Sequence, residues 1–116
     1  MSIYVQVLDV LRDLAGGRVF PVVADASVET PYIVIQRVGS SPINFLTGEA
    51  PAKQSHRVQV SVWCATALEA EAIGADVEAA MRAAVHLQPE VVTGAIDDYD
   101  ETTTYRGCRQ DFRIFC

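Results

Sequence analysis

Residues 56–64 alternate between apolar and polar positions. Val58, Val60 and Val62 fall on one side, and Gln59, Ser61 and Trp63 on the other. That period-2 pattern predicts a strand with one face on a core and one facing water or a partner. The period then becomes helical. Thr66 followed by Glu69 makes a capping box, in which the Thr66 hydroxyl accepts from a free backbone N–H and Glu69 reaches back. Ile73, Val77, Ala80, Met81 and Ala84 form an apolar stripe. Glu69, Glu71, Asp76 and Glu78 load the first turns while Arg82 and His86 sit near the end, an order that complements the helix dipole. Pro89 stops this helix, which is expected to run to Leu87. Gly74 inside it costs ~1 kcal/mol against alanine, so it marks either a close backbone approach or a tolerated glycine.

Residues 2–14 read as a first helix. Ser2 caps it, Ile3, Val7, Val10, Leu11 and Leu14 form its inner face, and Gly16-Gly17 ends it. Residues 18–23 follow as a short strand, placed at a sheet edge because Pro21 cannot donate to a ladder. Residues 25–31 form a turn region. Residues 32–38 are a second strand, β-branched and largely apolar. After the second helix, residues 91–96 read as a strand, 97–104 as a polar turn and 105–116 as a long final strand. In that last strand Cys108, Phe112 and Ile114 share one face with Gln110 between them. Arg106, Arg109, Asp111 and Arg113 are expected to be solvated.

Residues 39–55 join two strands that should be hairpin partners. Hairpin loops usually have ~2–5 residues, and longer structureless ones are uncommon unless functional or disordered. This loop also carries Ile43, Phe45 and Leu46, which either tuck back onto the domain or await a partner. The element order is α-β-β-β-α-β-β. It predicts an α+β fold, an antiparallel sheet of about four to five strands with two helices packed on one face. There is no internal repeat and no low-complexity segment.

Composition agrees with a single domain over residues 1–116. Half of the chain is hydrophobic and 21% is charged, which is too apolar for disorder. No apolar run approaches the ~20 residues of a membrane span, and no signal peptide is visible, so the protein is expected to be made and kept in a cytosol. The net charge of −6, with scattered basic residues, argues against gripping phosphate or reading a nucleic-acid sequence.

No catalytic, cofactor-binding or metal-binding set is expected. Cys64, Cys108 and Cys116 lack the close pairing of zinc ligands and read as reduced thiols. A bridge between Cys108 and Cys116 within one strand is disfavoured by geometry. His56 and Cys64 lie about 25 Å apart on one strand, too far for a nucleophile and its base. His86 reads as a helix-dipole partner. The stretch Asp97-Asp98-Tyr99-Asp100-Glu101 lacks the spaced ligands and central glycine of a calcium loop, and reads as a solvated acidic turn. No phosphate-binding, dinucleotide, serine-hydrolase or zinc-protease motif is present.

Several segments in fixed order resemble the siphophage tail-completion family, related in fold to tail-terminator and head–tail joining proteins. They are residues 17–21 (Gly-Arg-Val-Phe-Pro), 30–37 (Thr-Pro-Tyr-Ile-Val-Ile-Gln-Arg) and 43–46 (Ile-Asn-Phe-Leu). Residues 57–63 (Arg-Val-Gln-Val-Ser-Val-Trp), the Ala/Glu-rich helix, Tyr105-Arg106-Gly107 and Asp111-Phe112 complete the set. The resemblance implies a structural protein of a virion or prophage, assembled in the bacterial cytoplasm, with no catalytic residue. Such proteins form a ring, typically hexameric, at the head-proximal end of the tail. The ring caps the tail-tube protein and offers a surface to the head connector. An acidic ring lets DNA pass without sticking. Ile43, Asn44, Phe45 and Leu46 are the expected assembly contacts, with Phe45 and Leu46 as apolar anchors. Two other classes stay open: a small-ligand-binding or regulatory α+β dimer whose long loop closes over a metabolite, and a small hydrolase using Cys64 or Asp97.

Overall fold

The computed structural model describes residues 2–41, 46, 48 and 54–116. The elements are α1 (Ile3–Leu11), β1 (Val19–Pro21), β2 (Tyr32–Ser41), β3 (Ser55–Cys64), α2 (Ala67–Ala83), β4 (Glu90–Tyr99) and β5 (Arg106–Phe115), with short 3-10 turns at Ala15–Gly17 and Val85–Leu87. The α-β-β-β-α-β-β order is as expected. The five strands form one sheet in the order β1-β2-β3-β5-β4.

The alternation in β3 sets which face is covered. Val58, Val60 and Val62 point into the core, level with Ile33 and Ile35 of β2 and with Cys108, Gln110 and Phe112 of β5. Ile3, Val7 and Leu11 of α1 and Val77 and Met81 of α2 close over them in a single core. Both helices therefore lie on one side, and the opposite face of the sheet carries no helix.

Both helix N-caps formed where they were read. The Ser2 hydroxyl accepts from the Tyr4 N–H at 3.2 Å. α1 itself stops at Leu11, before the expected Leu14, with Arg12 still in the right-handed region. Gly16 and Gly17, at φ of 62° and 81°, lie in the separate 3-10 turn that follows and do not end the helix. The Thr66 hydroxyl accepts from the Glu69 N–H at 3.3 Å. Among the described residues the Glu69 carboxylate makes no return bond, so half of the capping box is formed.

The buried face of α2 is offset from the expected stripe. Ala70, Gly74, Val77 and Met81 are buried, while Ile73 and Ala80 are only partly so. Gly74 is the reason. A Cβ there would stand 2.7 Å from Cys108 Sγ, and the Gln110 side chain donates to the Gly74 carbonyl at 2.8 Å. The glycine marks a close approach of helix backbone to β5. The helix also ends earlier than expected. Ala84 leaves the helical region, and the 3-10 turn that follows turns Leu87 into the core.

Four expectations are corrected by pairing across the sheet. The sheet is mixed, because β1 runs parallel to β2; residues 22–31 carry the chain back to the end from which β1 started. The loop is shorter than residues 39–55, because Gly39, Ser40 and Ser41 continue β2 and pair with Arg57, His56 and Ser55. A bulge between Arg37 and Gly39 absorbs one residue. Asp97, Asp98 and Tyr99 belong to β4, opposite Cys108, Gly107 and Arg106, and the turn begins at Asp100. Asp111 is buried instead of solvated, held by Arg57 from the neighbouring strand.

Candidate functional site

The residues considered for chemistry do not converge. His56 and Cys64 occupy opposite ends of β3 and both point into the core. Burial, with the nearby Glu69 carboxylate and Cys108, pushes the Cys64 thiol up to about 11, so it is a poor nucleophile near neutral pH. Burial, then the Arg37 charge, holds His56 below its ordinary value, and its Nδ1 has no hydrogen-bond partner among the described residues. His86 lies in the 3-10 turn beyond the end of α2, so it is not part of that helix's last turn. Asp97 is exposed on the edge strand, and Asp98 faces Arg109 at 4.0 Å. Among the described residues no three His, Cys, Asp or Glu side chains stand close enough to hold a metal ion.

Surfaces are more informative. On the helix-free face, Arg57 gives two hydrogen bonds to one oxygen of Asp111, at 3.0 and 2.7 Å, and reaches Thr93 Oγ1 at 3.4 Å. Arg113 pairs with Glu90 at 3.2 Å. With Arg109 against Asp98, each of these three strand arginines faces a carboxylate. The face therefore offers little unpaired positive charge to phosphate.

Toward one end the same face gathers aromatic side chains among polar ones. Trp63 lies over Gly107, where a Cβ would sit 2.9 Å from the ring. Tyr32 meets Tyr105 edge to face, with ring centroids 6.3 Å apart. Residues 22–24 return over this end and wall a groove of about 280 Å³ with Tyr32, Val34 and Trp63 and with the polar Gln36, Ser61 and Asp100. The wall is a tight turn. The Val23 N–H bonds to the Pro21 carbonyl at 2.7 Å, and Val22 is held at φ 67°. A β-branched residue in that region is strained, and such strain gathers at functional surfaces. Val22 and Val23 remain 54% and 73% exposed, which leaves two aliphatic side chains uncovered beside the aromatic floor.

A second groove, of about 600 Å³, lies between α1 and the Val85–Leu87 turn. It is lined by Val5, Leu8, Asp9, Arg12 and His86. Of the expected contact residues, Leu46 is fully exposed. Ile43, Asn44 and Phe45 lie outside the described residues. The open-face groove was not anticipated, although one signal pointed to it: an aromatic residue, Trp63, at a polar-side position of β3.

Among the described residues no helix is long and apolar enough to cross a membrane. No curated protein matches the chain. Among solved structures, a chain described as "Virion of native gene transfer agent (GTA) particle" superposes with a TM-score of 0.71 at 19% identity, covering 98% of this chain and 93% of that one. At that identity the likeness is one of fold. The family model described as tail completion protein gp17 matches residues 6–116. That match spans nearly the whole length, and the chain belongs to this family of tail structural proteins.

Proposed function

We propose that the protein completes the tail by forming a homo-oligomeric ring, a hexamer, at the head-proximal end of the tail tube, and that the ring joins the tube to the head connector. It acts as a structural part of the tail and neck, not as an enzyme, and it assembles in the host cytoplasm. Its contacts are with itself, the tail-tube protein and the connector protein. Ile43, Asn44, Phe45 and Leu46 serve as subunit contacts, with Phe45 and Leu46 as anchors.

The helix-free sheet face carries this reading. A two-layer domain that leaves one sheet face bare has a broad surface for partners. Here that surface combines paired charges with Tyr32, Val34 and Trp63, which suits protein contact better than DNA contact. The outer side of α2 bears Glu71, Asp76 and Glu78 against Arg82, in keeping with a channel that DNA traverses without adhering.

The test is negative-stain microscopy with mass determination, on the protein alone and mixed with tail tubes. Rings, or protein at one end of the tubes, are expected. A monomer or dimer that ignores tubes overturns the reading. The groove between α1 and His86 favours a second one, a small-ligand-binding regulatory dimer. Ligand-dependent thermal stabilisation in a metabolite screen would support that alternative.

A further inference from the structure

We propose that the groove at the Tyr32–Trp63 end of the open sheet face receives Leu46 from a second copy of this chain. The proposal rests on the ring reading and names the receiving surface of the subunit contact.

The first argument is reach. The loop that carries Leu46 is rooted where Ser41 pairs with Ser55. Tyr32 stands at the other end of β2, paired with Trp63. At ~3.3 Å per residue, about 30 Å separates Tyr32 from the root. Leu46 follows Ser41 by few enough residues that its reach is at most ~18 Å even when fully extended. A protomer's own Leu46 therefore cannot fill the Tyr32–Trp63 end of its own groove. In this structure Leu46 is fully exposed, so its side chain is not spent on the protomer's own core.

The second argument is complementarity. Val22, Val23, Tyr32 and Trp63 supply carbon surface to a hollow of about 280 Å³ that Gln36, Ser61 and Asp100 also line, room enough for a branched aliphatic side chain within a polar surround. The strained turn at Val22 keeps the valines outside the core. Aromatic side chains are enriched at interface centres, with polar groups around them.

The third argument is symmetry. A donor at one end of the sheet and an acceptor at the other make a head-to-tail contact, which closes into a ring when the rotation allows. The groove between α1 and His86 does not share this geometry. Tyr4, beside it, accepts from the Arg37 N–H, and β4 begins after the His86 turn at Glu90, opposite Arg113. Both points lie near the loop roots. An acceptor there would sit beside its own donor, an arrangement suited to a two-fold dimer.

Trp63 is the single tryptophan of the chain and reports directly on the groove. The acceptor for the test is the full chain carrying Leu46→Asp, which leaves the groove unchanged and removes its own donor. A synthetic peptide of residues 39–55 is titrated to millimolar concentration while Trp63 emission is read. A saturable blue shift is expected. It should vanish when the peptide itself carries Leu46→Asp, and also when the protein additionally carries Val23→Asp while keeping its melting temperature. No saturable change, or one that survives Val23→Asp, overturns the proposal. Mass determination on otherwise wild-type Val23→Asp protein with tail tubes separates the two readings. Rings from that variant overturn the groove assignment and leave the ring standing. If the wild-type protein never forms rings although the peptide binds, the ring reading fails and the groove assignment holds.

Discussion

Arg57 and Asp111 meet across β3 and β5 on the side of the sheet that has no helix, and both bonds from the guanidinium end on the same carboxylate oxygen. The Asp111 side chain is 12% exposed and that of Arg57 is 43% exposed. The pair is thus half sheltered, and the carboxylate is the member that depends on its partner. Replacing Arg57 with Met leaves a largely buried carboxylate without its donor. We expect a loss of about 1–3 kcal/mol in urea unfolding, below the figure for a fully buried pair. Asp111→Asn should cost less, because the amide stays neutral and Arg57 keeps access to water. The double variant should recover part of the Arg57→Met loss. A double variant as unstable as the sum of the two would show that the side chains act independently.

Gly74→Ala tests the contact between α2 and β5. On helix propensity alone the change should stabilise by ~1 kcal/mol. The new methyl would stand 2.7 Å from Cys108 Sγ and 3.4 Å from Cys108 Cβ, a short buried side chain with little freedom to move aside. We expect a net destabilisation of about 1–3 kcal/mol, the usual cost of overpacking. Cys108→Ala in the same chain removes the obstructing sulfur and should return most of that loss. Thermal unfolding of the four variants measures the coupling. An additive result would mean that the helix shifts freely.

His56 makes stability depend on pH. Its pKa is lowered in the folded state, first by burial and then by the Arg37 charge. Below its ordinary value near ~6.5, the unfolded chain binds a proton that the folded chain resists, so this residue's contribution to stability falls as pH falls. The loss begins at the unfolded pKa and levels off below the lowered folded one. Melting temperature followed from pH 7.5 to 5 should drop more for the wild-type protein than for His56→Gln. Parallel curves would remove His56 as the cause.

Cys64 and Cys108 should be slow to react. Burial raises both thiols, Cys64 to about 11, and each lies in the core. With a disulfide reagent at pH 8, both should be modified only as the chain unfolds, in step with loss of the far-UV signal. Labelling of Cys64 in the folded state at the rate of a free thiol would contradict its burial and would reopen the nucleophile reading.

How much of this was legible before the fold depended on the range of each interaction. Ser2, Thr66 and the Val58–Val60–Val62 alternation are local devices, and each formed where the pattern put it, whereas Gly16-Gly17 did not set the end of α1, which stops at Leu11. Asp97 and Asp98 looked like turn residues because their composition is that of a turn. They became strand because β5 is long enough to pair with them. The same holds for Gly39 to Ser41, which are polar and small yet find partners in Ser55 to Arg57. Asp111 read as solvated because the sequence does not show that Arg57 stands directly beside it. The groove was the least legible feature. It joins a strained turn at Val22 to side chains of β2 and β3, and neither the parallel placement of β1 nor the return path over the open face has a local sign.

The loop prediction bears most directly on assembly. Leu46 is fully exposed, and a leucine placed in water forgoes about 1.5–3 kcal/mol of burial that a partner could supply. Phe45, its neighbour in sequence, has a larger apolar surface still. Replacing both with Ser removes that apolar surface; Leu46 lies outside the core set of Ile33, Val60 and Phe112, and the monomer should keep its melting temperature to within a few degrees. Ring formation and attachment to tail tubes should fail, since an interface depends on a few buried anchors and tolerates change elsewhere. A control with Leu68→Ser, also exposed but on the first turn of α2, should assemble normally. Tails completed as well by the Phe45/Leu46 variant as by the wild-type protein would take subunit contacts away from this loop. The two sheet edges, β4 on one side and β2 beyond its short β1 partner on the other, would then be the next place to look.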